Sequence, residues 1–179
     1  MKFTKFRSII FIPLILLLVI AFPKLISLYS DFLWFKEVGY QSVFIKTLLA
    51  KSLIGVITFF LVTLLSFLTL HFTLKIKGPV KITQDNVIDL TAQKSGRTLL
   101  IAVPSIFMGI FAGLLASTAL WENILLFLNQ VPFGITEPIF NRDISFYFFN
   151  LSLFETIYGL AMLFLIVIAL LNFFFTVYL

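Results

Sequence analysis

An all-α, polytopic membrane helix bundle, with about four transmembrane helices plus interfacial helical segments, is the fold class this sequence predicts. Three observations predict it. The stretch Ser52 to Leu74 contains no Lys, Arg, Asp or Glu, and at about 1.5 Å rise per residue it is long enough as a helix to cross a hydrocarbon core of about 30 Å. The chain is 61% hydrophobic and only 12% charged, against about 25% charged in soluble domains, and its mean hydropathy is +1.13. Similar apolar runs recur at residues 9–29, 98–120 and 156–179, with the charges collected between them. A single membrane domain over 1–179 follows, with a cytoplasmic loop at 75–97 and extracytoplasmic segments at 30–51 and 121–155.

The same numbers exclude several functions. A formal net charge of +5 suggests nucleic acid only if the cations cluster on a polar face, and here they flank apolar runs, as membrane orientation requires. Nucleic acid is therefore not an expected partner. The 24 phenylalanines serve equally against lipid, against another helix or at the headgroups, and imply no cofactor. With no cysteine there is no disulfide, thiolate nucleophile or Cys-ligated metal in this chain.

Taken in order, the chain opens with Lys2, Lys5 and Arg7 before the apolar run Ile9 to Phe22. A removable signal ends in small residues of the A-x-A kind, which Ala21-Phe22-Pro23-Lys24 does not supply, so a retained anchor is preferred over a cleaved leader. Cleavage would leave three spans. Residues 30–51 mix Leu33-Trp34-Phe35 with Asp31, Lys36 and Glu37, the composition of an interfacial elbow. Trp34 and Tyr40 suit the headgroup level, Gly39 permits a turn, and a helix leading into the second span starts near Ser42.

Asp31-Phe32-Leu33-Trp34-Phe35-Lys36-Glu37-Val38-Gly39-Tyr40, followed by Ser42-Val43-Phe44, resembles a motif near the start of uncharacterised protein family 0182, large bacterial multi-pass membrane proteins. The resemblance implies further spans, a long remainder with a sizeable extracytoplasmic region, and no established biochemical role.

In the second span Thr58, Thr63, Ser66 and Thr69 are polar, but hydroxyls can return their hydrogen bonds to the helix backbone, so they need no special role. His71 stands near the end of that span and is read as a boundary residue rather than a proton relay or metal ligand. The following polar stretch carries Lys75, Lys77, Lys81, Lys94 and Arg97 against Asp85 and Asp89. These five cations set the topology by holding the loop in the cytoplasm. Within it, 84–93 suits a short amphipathic helix drawn to anionic headgroups.

The third span places Ser105, Gly109, Gly113 and Ser117 four residues apart, on one helix face. Lipid gives helices no hydrophobic reason to associate, so small residues that let backbones approach are the interaction signal. A neighbouring helix of the same protein is preferred over a second copy as the occupant of that face. Pro104 is expected to bend the first turns.

After Trp121, a third interfacial ring, the stretch to Glu155 is broken by Pro132, Gly134 and Pro138 and reads as extracytoplasmic, with Ile124 to Leu128 and Phe146 to Phe149 along the interface. Phe133-Gly134 and residues 138–149 resemble a second stretch of the same family, whose usual form is close to D-P-x-F-G-x-D-x-S-F-Y-x-F-x-L-P. Glu137, Asn141 and Ser152 depart from it. The last run holds Gly159 and Ala161 as small positions and Asn172 as a lone amide able to bond to another helix. A chain stopping at Tyr178-Leu179 without basic anchors looks like part of a longer protein, which the resemblance also implies.

Eight cations (Lys2, Lys5, Arg7 and the five loop residues) fall inside in this arrangement and five (Lys24, Lys36, Lys46, Lys51, Arg142) outside. The excess favours a cytoplasmic amino-terminus and the plasma membrane as location. No catalytic, cofactor or metal constellation is found: no phosphate loop, zinc-protease or hydrolase motif occurs, and Glu137 and Asp143 are read as capping or solvated groups rather than cation ligands. The expected partners are membrane lipids and the other helices of the full-length protein, with a homo-oligomer or another membrane protein as further candidates. Three function classes remain: a membrane anchor or scaffold for an extracytoplasmic region, which is preferred; part of a transporter or channel; and the anchor of an enzyme whose active site lies beyond Leu179.

Overall fold

The computed structural model describes Val19, residues 22–77 and residues 94–178. Much of the first apolar run, Lys81 and the proposed amphipathic helix at 84–93 lie outside the described residues. Two compact units, residues 1–48 and 49–179, are treated in turn.

In the first unit, residues 22–37 are helical and form α1. The helix stops because Gly39 takes φ +80°, a left-handed conformation open to glycine without penalty. The Tyr40 amide then donates to the Phe35 carbonyl at 2.9 Å and the Gly39 amide to that of Lys36 at 3.1 Å, the paired closure of a Schellman motif. Tyr40 in turn accepts from the Val43 amide at 3.0 Å, starting the next helix. Phe44 closes against Phe32 and Phe35, with ring centroids 5.7 and 5.6 Å apart. Residues 30–51 are thus the end of α1, a turn at 38–40 and the start of the next helix.

That second helix, α2, runs Gln41–Lys77 and enters the second unit at Leu49. It is followed by α3, Lys94–Leu128, and α4, Ser152–Tyr178. A wider π-helical turn at Phe146–Leu151 leads into α4. Each helix outruns the charge-free stretch it contains. At 37 residues, α2 extends about 55 Å, well beyond a hydrocarbon core of about 30 Å. The physical reason is that charge does not end a helix; a breaker does, and between Gly39 and Gly78 the chain holds no proline and a single glycine, Gly55, which α2 absorbs. Likewise Ile124 to Leu128 continue α3, and Phe146 to Phe149 wind into the turn before α4 rather than forming a separate interfacial segment.

Among the described residues, three helices are long and apolar enough to cross a membrane: Gln41–Lys75, Thr98–Leu128 and Phe146–Val177. Together they make a polytopic helix bundle. Along α2 the buried residues Val62, Ser66, Leu70 and Leu74 recur every fourth position, one stripe of a helix. Val62 joins Met108, Ala112, Phe164 and Ile168 in one cluster of the core, and Leu70, Leu74 and Ile101 form another. Outside it, Phe107, Leu114 and Phe173 are largely exposed, as lipid-facing side chains are. Pro104 supplies no amide to the Leu100 carbonyl, and α3 continues through it.

Candidate functional site

Helices α2 and α3 approach closely at three glycines. A Cβ built on Gly109 would run into Thr63 Oγ1 and come within 2.9 Å of the Phe59 carbonyl oxygen. One on Gly113 would lie 2.7 Å from the Gly55 carbonyl oxygen, and one on Gly55 would lie 3.3 Å from the Gly113 carbonyl oxygen and 3.3 Å from Ser117 Cβ. The predicted face of α3 therefore meets a matching row on α2, Gly55-Phe59-Thr63, also spaced by four. Backbone meets backbone at both ends of this seam, and no larger residue fits at Gly109 or Gly113 without moving the partner helix. Ser105 is fully buried, its hydroxyl donating to the Ile101 carbonyl at 2.8 Å, and Ser117 donates to the Leu114 carbonyl at 2.9 Å. Among the described residues, Thr63 Oγ1, Ser66 Oγ and Asn150 Oδ1 are buried polar atoms without a hydrogen-bond partner.

A second contact ties α4 to α2. Thr73 Oγ1 donates to Asn172 Oδ1 at 2.8 Å, and Asn172 Nδ2 donates to Thr69 Oγ1 at 3.1 Å and to the Ile168 carbonyl at 2.8 Å. The cross-helix bond expected of Asn172 is present, and its partners are two threonines of α2 one turn apart. Near the other end of α4, Asn123 Nδ2 donates to Thr156 Oγ1 at 2.9 Å. The sequence reading missed both this pair and the Gly55-Phe59-Thr63 row. The spacing of the row was visible, but its central phenylalanine hid it.

The α3–α4 connection folds into a clasp around two carboxylates. Asp143 accepts from the Ser145 amide at 2.8 Å, the Gly134 amide at 2.9 Å and the Phe133 amide at 3.2 Å. Ser145, through its amide and side chain, and then these two amides hold the Asp143 carboxyl down at about 2, from an ordinary 3.8. Glu137 accepts from the Tyr147 hydroxyl at 2.8 Å and from the Phe140 and Ile139 amides at 3.2 and 3.3 Å, and the Tyr147 hydroxyl first, then those amides, lowers its pKa. The two carboxylates serve separate sets of donors. No three acidic or histidine side chains group as metal donors among the described residues. Asn141, where the family pattern has glycine, takes φ +53°, a left-handed conformation that asparagine tolerates best after glycine.

The interfacial rings take different surroundings. Trp34 and Tyr40 are exposed, Trp34 edge-on to Phe35 with centroids 5.0 Å apart, whereas Trp121 is half-buried beneath Lys51, whose Nζ sits 4.4 Å from the ring centroid. Of the cations expected to set the topology, Lys75 is exposed near the end of α2. Lys77, Lys94 and Arg97 are in helices, but their side chains lie outside the described residues, as does Lys81 entirely.

The model of an uncharacterised protein family, UPF0182, matches residues 8–179. The chain belongs to this family. UPF0182 proteins of Rhodococcus erythropolis and Clostridium novyi are 36% and 33% identical to it over 142 and 157 residues, covering 77% and 87% of this chain but 14% and 17% of theirs. A Clostridium botulinum UPF0182 protein is 33% identical over 158 residues, 86% of this chain and 17% of its own. The UPF0182 chain described here thus spans about one-sixth of the length of the curated relatives it matches. No solved structure matches it. The seam, the threonine–asparagine tie and the clasp accordingly belong to one portion of a protein whose relatives are several times longer.

Proposed function

We propose that this chain is the membrane anchor and scaffold of a longer protein, holding an extracytoplasmic region encoded in the remainder. The observation that carries the reading is the length relation: the chain matches 14% and 17% of its first two relatives while its helices bring together apolar and hydroxyl side chains. The core cluster of Val62, Met108, Ala112, Phe164 and Ile168 draws on all three long helices, which supports a packing role for them. A transporter coupled to ions ordinarily places ionisable groups or broken helices at mid-membrane, and the α2–α4 tie uses neutral threonines and an amide instead.

In this proposal the location is the plasma membrane, the amino-terminus and residues 75–97 are cytoplasmic, and the α3–α4 clasp is extracytoplasmic. The cation count of the sequence supports that orientation. Two measurements test it. Because this chain has no cysteine, single cysteines at Thr83 and Ile139 report sidedness to a membrane-impermeant maleimide; labelling is expected at Ile139→Cys and not at Thr83→Cys in intact cells, and the reverse pattern overturns the orientation. Full-length protein reconstituted into vesicles is expected to pass protons and potassium no faster than protein-free vesicles. Flux above that level overturns the scaffold in favour of a channel or transporter.

A further inference from the structure

We propose that a groove on the α2–α3 pair, lined by no residue of α4, binds one acyl chain of an anionic phospholipid, with the headgroup seated over Lys51. A groove of about 580 Å³ runs there, within the range of about 300–1,000 Å³ usual for small-molecule sites. Val56 and Phe60 of α2 form one wall and Ile110 and Leu114 of α3 the other. It exists because Gly55 and Gly113 carry no side chains and bring the two backbones together beneath it. Phe164 and Ile168 of α4 pack elsewhere on the pair, against Val62 and Ala112.

The occupant is argued from charge and depth. The lining is apolar except for Lys51 and Ser52 at one end and Ser117, whose hydroxyl is already given to the Leu114 carbonyl. Lys51 stands over the Trp121 ring, and Trp marks the headgroup level of a bilayer. An ammonium held there is complementary to a phosphodiester. From Lys51 to Phe60 the groove descends about 14 Å, roughly half of a core of about 30 Å. That is the depth of one leaflet, which suits an acyl chain running down from a headgroup; a packed helix would call for a groove through the whole core. The inference rests on these helices spanning a membrane and is independent of the anchor role.

Native mass spectrometry of the protein, after equilibration with equal amounts of phosphatidylglycerol and phosphatidylcholine bearing the same acyl chains, tests it. One retained phospholipid is expected, with phosphatidylglycerol favoured about fivefold, the factor set by one basic residue at a lipid surface. Lys51→Gln is expected to remove the preference and Lys51→Arg to keep it. Leu114→Trp, at an exposed position, is expected to block retention of both lipids; Ile110→Trp fills the same groove one turn earlier and serves as the second blocking variant. Equal retention of the two lipids by the unaltered protein, a preference that survives Lys51→Gln, retention undiminished in both tryptophan variants, or a lipid-free dimer closing the groove would each overturn the proposal.

Discussion

Replacing Gly109 by alanine puts one methyl group into the tightest point of the α2–α3 seam. On an open helix surface that change is favourable by about 1 kcal/mol, because alanine restricts the unfolded chain more than glycine does. Here the new Cβ meets Thr63 Oγ1 and lies 2.9 Å from the Phe59 carbonyl oxygen and 3.1 Å from Phe59 Cδ2. The threonine hydroxyl and the ring edge can rotate away; the carbonyl belongs to the α2 backbone and moves only with the helix. Overpacking of this kind costs about 1–3 kcal/mol, so the net effect is a loss of about 0–2 kcal/mol, and a deficit of about 1–3 kcal/mol against a site where only the gain applies. Gly159→Ala is the control, since nothing lies within 4 Å of its Cβ position and only the propensity gain remains. Gly113→Ala, facing a carbonyl oxygen at 2.7 Å, is expected to cost at least as much as Gly109→Ala. Unfolding in mixed micelles, followed by circular dichroism, gives the ordering directly. A double-mutant cycle of Gly109→Ala with Thr63→Ala isolates the hydroxyl clash, with recovery of about 0.5–1 kcal/mol expected. If Gly109→Ala and Gly159→Ala unfold at the same denaturant activity, the close approach of the helices is wrong.

Asn172→Leu removes the bonds to Thr69 and Thr73 and is expected to cost about 0.6–1.7 kcal/mol by the same assay, since the single Thr73 hydroxyl proton then goes to the Thr69 carbonyl within reach at 2.9 Å; no loss at all would show that the tie does not form. Asn141→Gly is expected to leave stability unchanged or slightly raised, whereas Asn141→Val forces a β-branched residue to positive φ and costs about 1–3 kcal/mol; equal effects would refute the left-handed turn. The clasp is expected to loosen in acid. Its Asp143 has a folded pKa of about 2 against an ordinary 3.8, so its contribution is complete above about pH 4 and is lost as pH falls toward 2. Glu137, also lowered, acts in the same direction. Hydrogen exchange at the Phe133 and Gly134 amides reads this: protection factors should fall across that window, and Asp143→Asn should flatten the change. A pH-independent profile in the unaltered protein would remove Asp143 from the clasp.

The features legible in the sequence are those set by local composition. Charge-free runs identify the three helices because a bilayer tests every residue of a span in the same way, and the breaker Gly39 lies where α1 stops. Helix lengths were less legible. Lys46 and Lys51 mark an interface by composition, yet both continue α2, because a cation near a helix end snorkels to water without breaking backbone hydrogen bonds. Asn141 shows the opposite case: it differs by letter from the glycine in the pattern the stretch resembles, yet takes φ +53°, a backbone region that glycine adopts freely.

Partners are what a single sequence hides. The row Ser105-Gly109-Gly113-Ser117 states that α3 admits a close neighbour, but nothing in its spacing says that the neighbour is α2, or that Phe59 sits between two close approaches. A small-residue row has to be small only where backbones cross. Between the crossings a large side chain is accommodated if it leans along the seam, as the Phe59 ring does beside Gly109, its Cδ2 3.1 Å from the Cβ position there. Gly55 and Thr63 mark the crossings on α2, and reading α2 for glycines alone finds only the first of them. The same reasoning explains why the seam leaves a groove: two helices brought this close by missing side chains necessarily lack material above the contact. In a bilayer that space is filled by another helix or by lipid, and the half-depth of the cleft together with the cation at its mouth favours lipid.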